Sequence, residues 1–155
     1  MSKLLHPLLT LWQHIANTLD AGRPLAALAA RAYLAEVFFR SGLTKLQDWD
    51  TTLLLFTEEY RVPMLPPAWA AVAGTAGELV LPVMLLLGLG GRFAALGLSV
   101  VNTVAVISLA EIAPAALQQH ITWGVLLAAL ALFGVGRWSV DERFVGPLLQ
   151  RRLAA

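Results

Sequence analysis

Long apolar runs alternate along this chain with short polar or proline-rich breaks, and four of the runs approach the roughly 20 residues that cross about 30 Å of hydrocarbon. Spans are predicted over about 25–46, 68–89, 93–110 and 121–135. The breaks carry turn chemistry: Asp48 to Pro67 closes on Val62-Pro63 and Pro66-Pro67, Gly88 to Arg92 is a glycine-rich hairpin, and Glu111 to His120 contains Pro114. The expected fold is an all-α membrane protein in which residues 25–138 form one four-transmembrane-helix bundle.

Residues 7–20 follow a different pattern. Leu8, Leu11, Trp12, Ile15 and Leu19 fall on one helical face, while Thr10, Gln13, His14, Asn17 and Asp20 lie elsewhere. The pattern predicts an amphipathic helix lying in the membrane interface, begun by Pro7 and ended by Gly22, so that residues 1–24 form a cytoplasmic-side segment. A cleaved signal peptide is the competing reading, but the polar residues interrupt any apolar core and no small-residue cleavage site follows. In the first loop Asp50 is expected to cap a short helix through Leu53 to Tyr60, half sunk in the opposite interface.

Composition agrees with a membrane: 58% of residues are apolar, 14% are charged and the mean hydropathy is +0.71. A net charge of +1 leaves no basic face for nucleic acid, so the bilayer is the expected partner. The absence of Cys removes disulfides, thiolate nucleophiles and cysteine-ligated clusters together. All five Trp fall at predicted span ends or outside the spans, where the indole meets both water and hydrocarbon. Lys3, Arg23, Arg92, Arg137, Arg143, Arg151 and Arg152 gather on one side and only Lys45 and Arg61 on the other, which places both termini in the cytoplasm. Residues 139–155 then form a cytoplasmic tail.

Charges inside the spans narrow the search, because one at the bilayer centre costs about 2.5–3.5 kcal/mol on insertion scales. Tyr33, Glu36, Arg40 and Thr44 share one stripe of the first span. Counted from the outer ends at 1.5 Å per residue, Glu36 lies about 15 Å deep, Arg40 about 9 Å and Glu78 about 15 Å, with Asn102 at a similar depth. Tyr33, Glu36, Arg40, Glu78 and Asn102 are therefore expected to meet, as a buried hydrogen-bonded knot or as a ligand pocket. Pro82 deprives the Glu78 carbonyl of its helical partner at that depth. Arg31 points away from the stripe and is expected to snorkel to the cytoplasmic end, as Lys45 is to the outer end.

His6, His14 and His120 all lie outside the predicted spans or at an edge, so a transmembrane bis-histidine haem is not expected. His120 is a candidate to help bind a metal, with Glu36 and Glu78, or to hydrogen-bond a quinone oxygen, set against the plainer reading of a solvated interfacial side chain. No metal-ligand spacing occurs, and Gly88-Leu89-Gly90-Gly91-Arg92 lacks the Lys-Ser/Thr of a phosphate loop.

The order and spacing of Phe38-Phe39-Arg40-Ser41-Gly42-Leu43-Thr44-Lys45-Leu46-Gln47-Asp48, Glu59-Tyr60-Arg61-Val62-Pro63, Gly77-Glu78-Leu79, Leu87-Gly88-Leu89-Gly90-Gly91-Arg92 and Gly134-Val135-Gly136-Arg137-Trp138-Ser139-Val140-Asp141 resembles the DoxX family over about residues 25–142. Family-like positions are Gly42, Lys45, Pro63, Glu78, Gly88, Arg92, Gly136, Ser139 and Asp141. The resemblance implies a bacterial inner-membrane four-helix bundle, associated in some relatives with thiosulfate or quinol oxidation and in others with oxidant-defence complexes. It supplies a redox context, and the polar cluster supplies proton-handling groups. The leading expectation is thus an accessory subunit that holds a quinone-like carrier for a redox partner protein. A noncatalytic scaffold docking through Asp48–Pro67 is the alternative, with a small-solute permease third and a homo-oligomer open.

Overall fold

A computed structural model describes residues 2–147, and among these it is helical without strands. The helices are α1 (Ser2–Gln47), α2 (Trp49–Glu58), α3 (Pro67–Leu87), α4 (Gly91–Ser108) and α5 (Pro114–Phe133), followed by a π-helical turn at Asp141–Val145. Three of them, α3, α4 and α5, are long and apolar enough to cross a membrane. Arg151 and Arg152, with the rest of the expected tail past residue 147, lie outside the described residues.

The first expectation to change is the break at Gly22. Helix α1 runs unbroken for 46 residues and contains both Pro7 and Pro24. Nothing lies within 4 Å of where a Gly22 side chain would sit, so no tertiary contact imposes a stop. Pro24 forfeits one backbone bond, while Arg23 pairs with Asp20 at 2.8 Å across the same turn. The apolar residues Leu8, Leu11, Trp12 and Leu19 of this early stretch are all exposed.

Asp48, not Asp50, caps α2: its carboxylate accepts from the Thr51 N–H at 3.0 Å and the Thr51 hydroxyl at 2.7 Å, which holds its pKa below the ordinary carboxylate value. Asp50 falls one residue later, in the first turn, where a negative charge suits the helix dipole. Pro114 starts α5 rather than interrupting a loop, since its missing N–H is one that a first helical turn leaves unbonded anyway. His120 consequently sits within α5 rather than at its edge.

Packing follows the order α1, α3, α4, α5, with α1 also touching α5 and α2 lying on α3. The core joins Leu34 and Phe38 of α1, Leu85 of α3, Ala94, Ala95 and Leu98 of α4, and Leu127 and Leu130 of α5. Small residues on α4 let backbones approach, which matters where lipid offers no hydrophobic incentive to associate. Helices α1 and α3 run antiparallel with a definite offset. Gly42 faces Glu78 and Leu79, and Arg31 faces Leu86. Gly42 is five residues from the end of α1 and Glu78 is eleven from the start of α3, so α1 stops short by about 9 Å. Helix α2 covers the exposed first turns of α3, setting Phe56 against Ala70 and Ala71.

At the opposite end the two glycine-rich segments meet. Gly88 takes a left-handed φ of 68°, and a Cβ there would stand 2.4 Å from the Ser139 Cβ. Asp141 donates its N–H to the Gly88 carbonyl, and its carboxylate accepts from the Gly90 and Gly91 N–H groups, each at 2.8 Å. It thereby caps α4 from 50 residues away, and no open phosphate cradle remains there. Asp141→Ala is expected to cost about 1–2 kcal/mol, the usual value of a lost helix cap; thermal unfolding in detergent measures it.

Arg31 does not snorkel. It is 2% exposed and donates to the carbonyls of Val135 at 2.8 Å, Trp138 at 2.9 Å and Leu86. These oxygens terminate α3 and follow α5, where orphan carbonyls and the negative end of the helix dipole attract a cation.

Candidate functional site

Lys45 lies on the buried face of α1, at helical spacing from Leu34 and Phe38, and the Gly42 contact brings it to α3. Its Nζ donates to Glu78 Oε2 at 2.6 Å and to Ser41 Oγ at 3.0 Å. The Glu78 side chain is 10% exposed and that of Lys45 21%. Interfacial anchoring of Lys45 is thus replaced by an interior ion pair. A buried charge needs such a partner, and removing one member of a buried pair costs about 3–5 kcal/mol.

The expected five-residue cluster separates into three parts. Glu78 joins Lys45. Asn102 of α4 joins α5: its Nδ2 donates to the His120 carbonyl at 3.0 Å, and its Oδ1 lies 2.8 Å from His120 Nδ1. The amide orientation assigns the ring proton to Nδ1 and leaves Nε2 as an acceptor. Tyr33 also turns to α5, its hydroxyl accepting from Trp123 Nε1 at 3.1 Å. The side chains of Glu36 and Arg40 bond only each other, at 2.9 Å, and are 58% and 77% exposed. They miss Glu78 because α1 turns the face carrying Leu34, Phe38, Gly42 and Lys45 to the bundle, which leaves Arg40 and Glu36 on the opposite side; a count of depth carries no information on that rotation.

A cavity of about 270 Å³ brings together Lys45 and Ser41 of α1, Glu78 of α3, Ser108 of α4, and His120 and Trp123 of α5, and it is closed by Tyr60 after α2. Phe38, Trp123 and His120 form successive edge-on ring contacts, with centroids 5.8 and 4.8 Å apart. Tyr60 rests edge-on against Phe56 at 4.9 Å, and the next residue, Arg61, donates its N–H to the Ser108 carbonyl at 2.8 Å. Burial, then the negative charges of Glu59 and Glu78, raises the Tyr60 pKa and keeps its phenol protonated. The cavity therefore offers an ammonium and a phenol as donors, a carboxylate and an imidazole nitrogen as acceptors, and aromatic walls. A larger opening of about 430 Å³ lies at the other end, between Arg92, Phe133, Arg137 and Glu142, away from these groups.

Beside Glu78, helix α3 continues through the fully buried Pro82, which cannot donate to the Glu78 carbonyl. One turn the other way, the buried Thr75 hydroxyl has no hydrogen-bond partner. Among the described residues no group of three His, Asp or Glu is placed to hold a metal ion. Sequence reasoning missed Lys45, Tyr60 and Trp123. The spacing of Leu34, Phe38 and Lys45 marks Lys45 as inward-facing, whereas nothing local marks Tyr60.

The DoxX family model matches residues 26–111, more than half of the chain, and includes Gly42, Lys45, Tyr60 and Glu78 but not His120. No curated protein and no solved structure matches the chain.

Proposed function

Because this chain belongs to the DoxX family, whose members are membrane proteins, we propose that it is an accessory subunit of a membrane redox system that holds the head of a quinone-like carrier in the Lys45–Glu78 cavity. In this reading α1 from about residue 25 to 46 is the first of four spans, the membrane is the bacterial inner membrane, and both termini are cytoplasmic. The basic residues Arg23, Arg92, Arg137 and Arg143 support that orientation. The exposed Leu8, Leu11, Trp12 and Leu19 face supports placing the early part of α1 in the interface.

The observation that carries the reading is the cavity itself, where Lys45, Glu78, Tyr60 and His120 surround a space walled by Phe38 and Trp123. Lys45 donates to one carrier oxygen, while Glu78 and His120 Nε2 accept hydroxyl protons. Tyr60 holds a phenolic hydrogen toward the same space. A quinone-type carrier supplies two-electron, two-proton chemistry, its electrons exchanged with a redox centre in a partner subunit.

Extraction and mass spectrometry of protein purified in mild detergent test this. A near-equimolar quinone is expected with the wild type, and at least tenfold less with Glu78→Gln at unchanged oligomeric size and with a cooperative unfolding transition. Normal quinone-linked turnover by folded Glu78→Gln argues against the site. No bound small molecule in either protein favours a scaffold role instead. Met64, fully exposed with a left-handed φ of 64°, and the exposed Leu65 support that second reading, since they form an apolar tip on the 59–66 loop. Retained partner binding after replacement of this loop removes it.

A further inference from the structure

The Glu36–Arg40 pair is misplaced for a single bundle in lipid. Gly42 lies level with Glu78, at the middle of α3, so Arg40 sits about 3 Å and Glu36 about 9 Å from that level, both inside a hydrocarbon half-thickness of about 15 Å. Yet their side chains are 77% and 58% exposed, and neither touches another helix through a hydrogen bond or ion pair. The outward sides of α3, α4 and α5 show the contrast. Glu78 points inward, Arg92 stands in the first turn of α4, and no other Asp, Glu, Lys or Arg occurs in these three helices.

We propose that this face of α1 is a homodimer interface in which the same face of a second copy packs, Glu36 of each chain reaching Arg40 of the other. The proposal is independent of the quinone reading. Three features favour a second copy over another protein. Glu36 and Arg40 stand one turn apart on the face, so a two-fold axis along the membrane normal sets each level with its own copy and one turn from the opposite charge of the second chain, within reach of these long side chains. A two-fold arrangement closes on itself and needs no second complementary surface. Ala29 and Ala32, exposed on that side, let helices approach closely, and the remaining exposed residues there, Tyr33, Leu43 and Thr44, are uncharged. Beside the pair an apolar groove of about 300 Å³ between α1 and α3, lined by Ala32, Phe39, Pro82, Val83 and Leu86, provides room for side chains of the neighbour.

The cysteine-free sequence makes the test direct. Ala29→Cys and Leu43→Cys, placed singly in the full chain and oxidised in native membranes, are expected to give same-chain dimers. Val100→Cys and Leu132→Cys, exposed on α4 and α5, are expected to stay monomeric. In detergent, Arg40→Glu is expected to raise the dimer dissociation constant at least tenfold by sedimentation, and the exchanged variant Glu36→Arg/Arg40→Glu to restore it. The restoration separates interface loss from misfolding. Monomeric wild type without cross-links at Ala29→Cys or Leu43→Cys overturns the proposal, as does equal cross-linking at the control positions or a stable complex in which a different protein covers this face.

Discussion

Replacing Arg31 by methionine is expected to lower the unfolding free energy by about 3–5 kcal/mol, the range seen when a buried charge is removed and its partners stay behind; its Nη1 and Nη2 are bonded, while the buried Nε has no partner. Methionine fills much of the volume but donates nothing, so the carbonyls of Leu86, Val135 and Trp138 lose their partner together. Each buried orphan carbonyl costs about 1–3 kcal/mol. Arg31→Lys keeps the charge but places a single ammonium where a planar fork spans oxygens from two chain segments, and is expected to recover about half of the loss. Arg23→Met is the control: Arg23 is exposed and paired only within its own helix, and about 0.5 kcal/mol or less is expected. Thermal unfolding in detergent, followed by tryptophan fluorescence, measures all three. Near-equal stability of Arg31→Met and wild type shows that water reaches these carbonyls, and that the contact is not what ties the end of α3 to the segment after α5.

Gly42→Val is expected to destabilise by about 2–4 kcal/mol, combining the usual cost of overpacking with loss of the polar contact beside it. A Cβ at position 42 meets Leu79 carbons at 2.9 Å and the Glu78 Cβ at 3.1 Å, before the two further methyl groups of valine are counted. Helix α1 must then move away from α3, carrying Lys45 off Glu78. The diagnostic measurement is a double-mutant cycle between Lys45→Met and Glu78→Gln. Coupling of about 1–3 kcal/mol in the wild-type background, as contacting residues show, is expected to fall toward zero beside Gly42→Val. Unchanged coupling means that the register of α1 is set elsewhere. Gly42→Ala, with a single added carbon, is expected to give an intermediate loss.

Both variants act on residues whose importance was unequally legible. Gly42 lies in a family-like segment, but a glycine in an apolar helix does not announce which helix comes close to it. Arg31 shares the spacing of Leu34 and Phe38, an inward position, yet its closeness to a span end favours snorkelling by any count of depth. Its true partners are 55 and more residues away and are backbone atoms, which carry no side-chain signature. Asp141 illustrates the same point from the other side, for a tail residue by sequence becomes the cap of α4 in space.

The sequence by itself determined the all-helical class, the positions of three spans within a few residues except where Pro114 starts α5 early, and the turn chemistry of Gly88 to Arg92. Apolar periodicity, proline and glycine act locally and can be read along one chain. Only the tertiary structure decided which polar groups meet. The face that α1 turns to α3, with Gly42 against Glu78, makes Lys45 rather than Arg40 the partner of Glu78 and leaves Glu36 and Arg40 outward, while His120 pairs with Asn102. The physical reason is that rotating a helix about its own axis, or sliding it by about 9 Å, changes no local propensity, yet either one replaces the residues it sets against its neighbours.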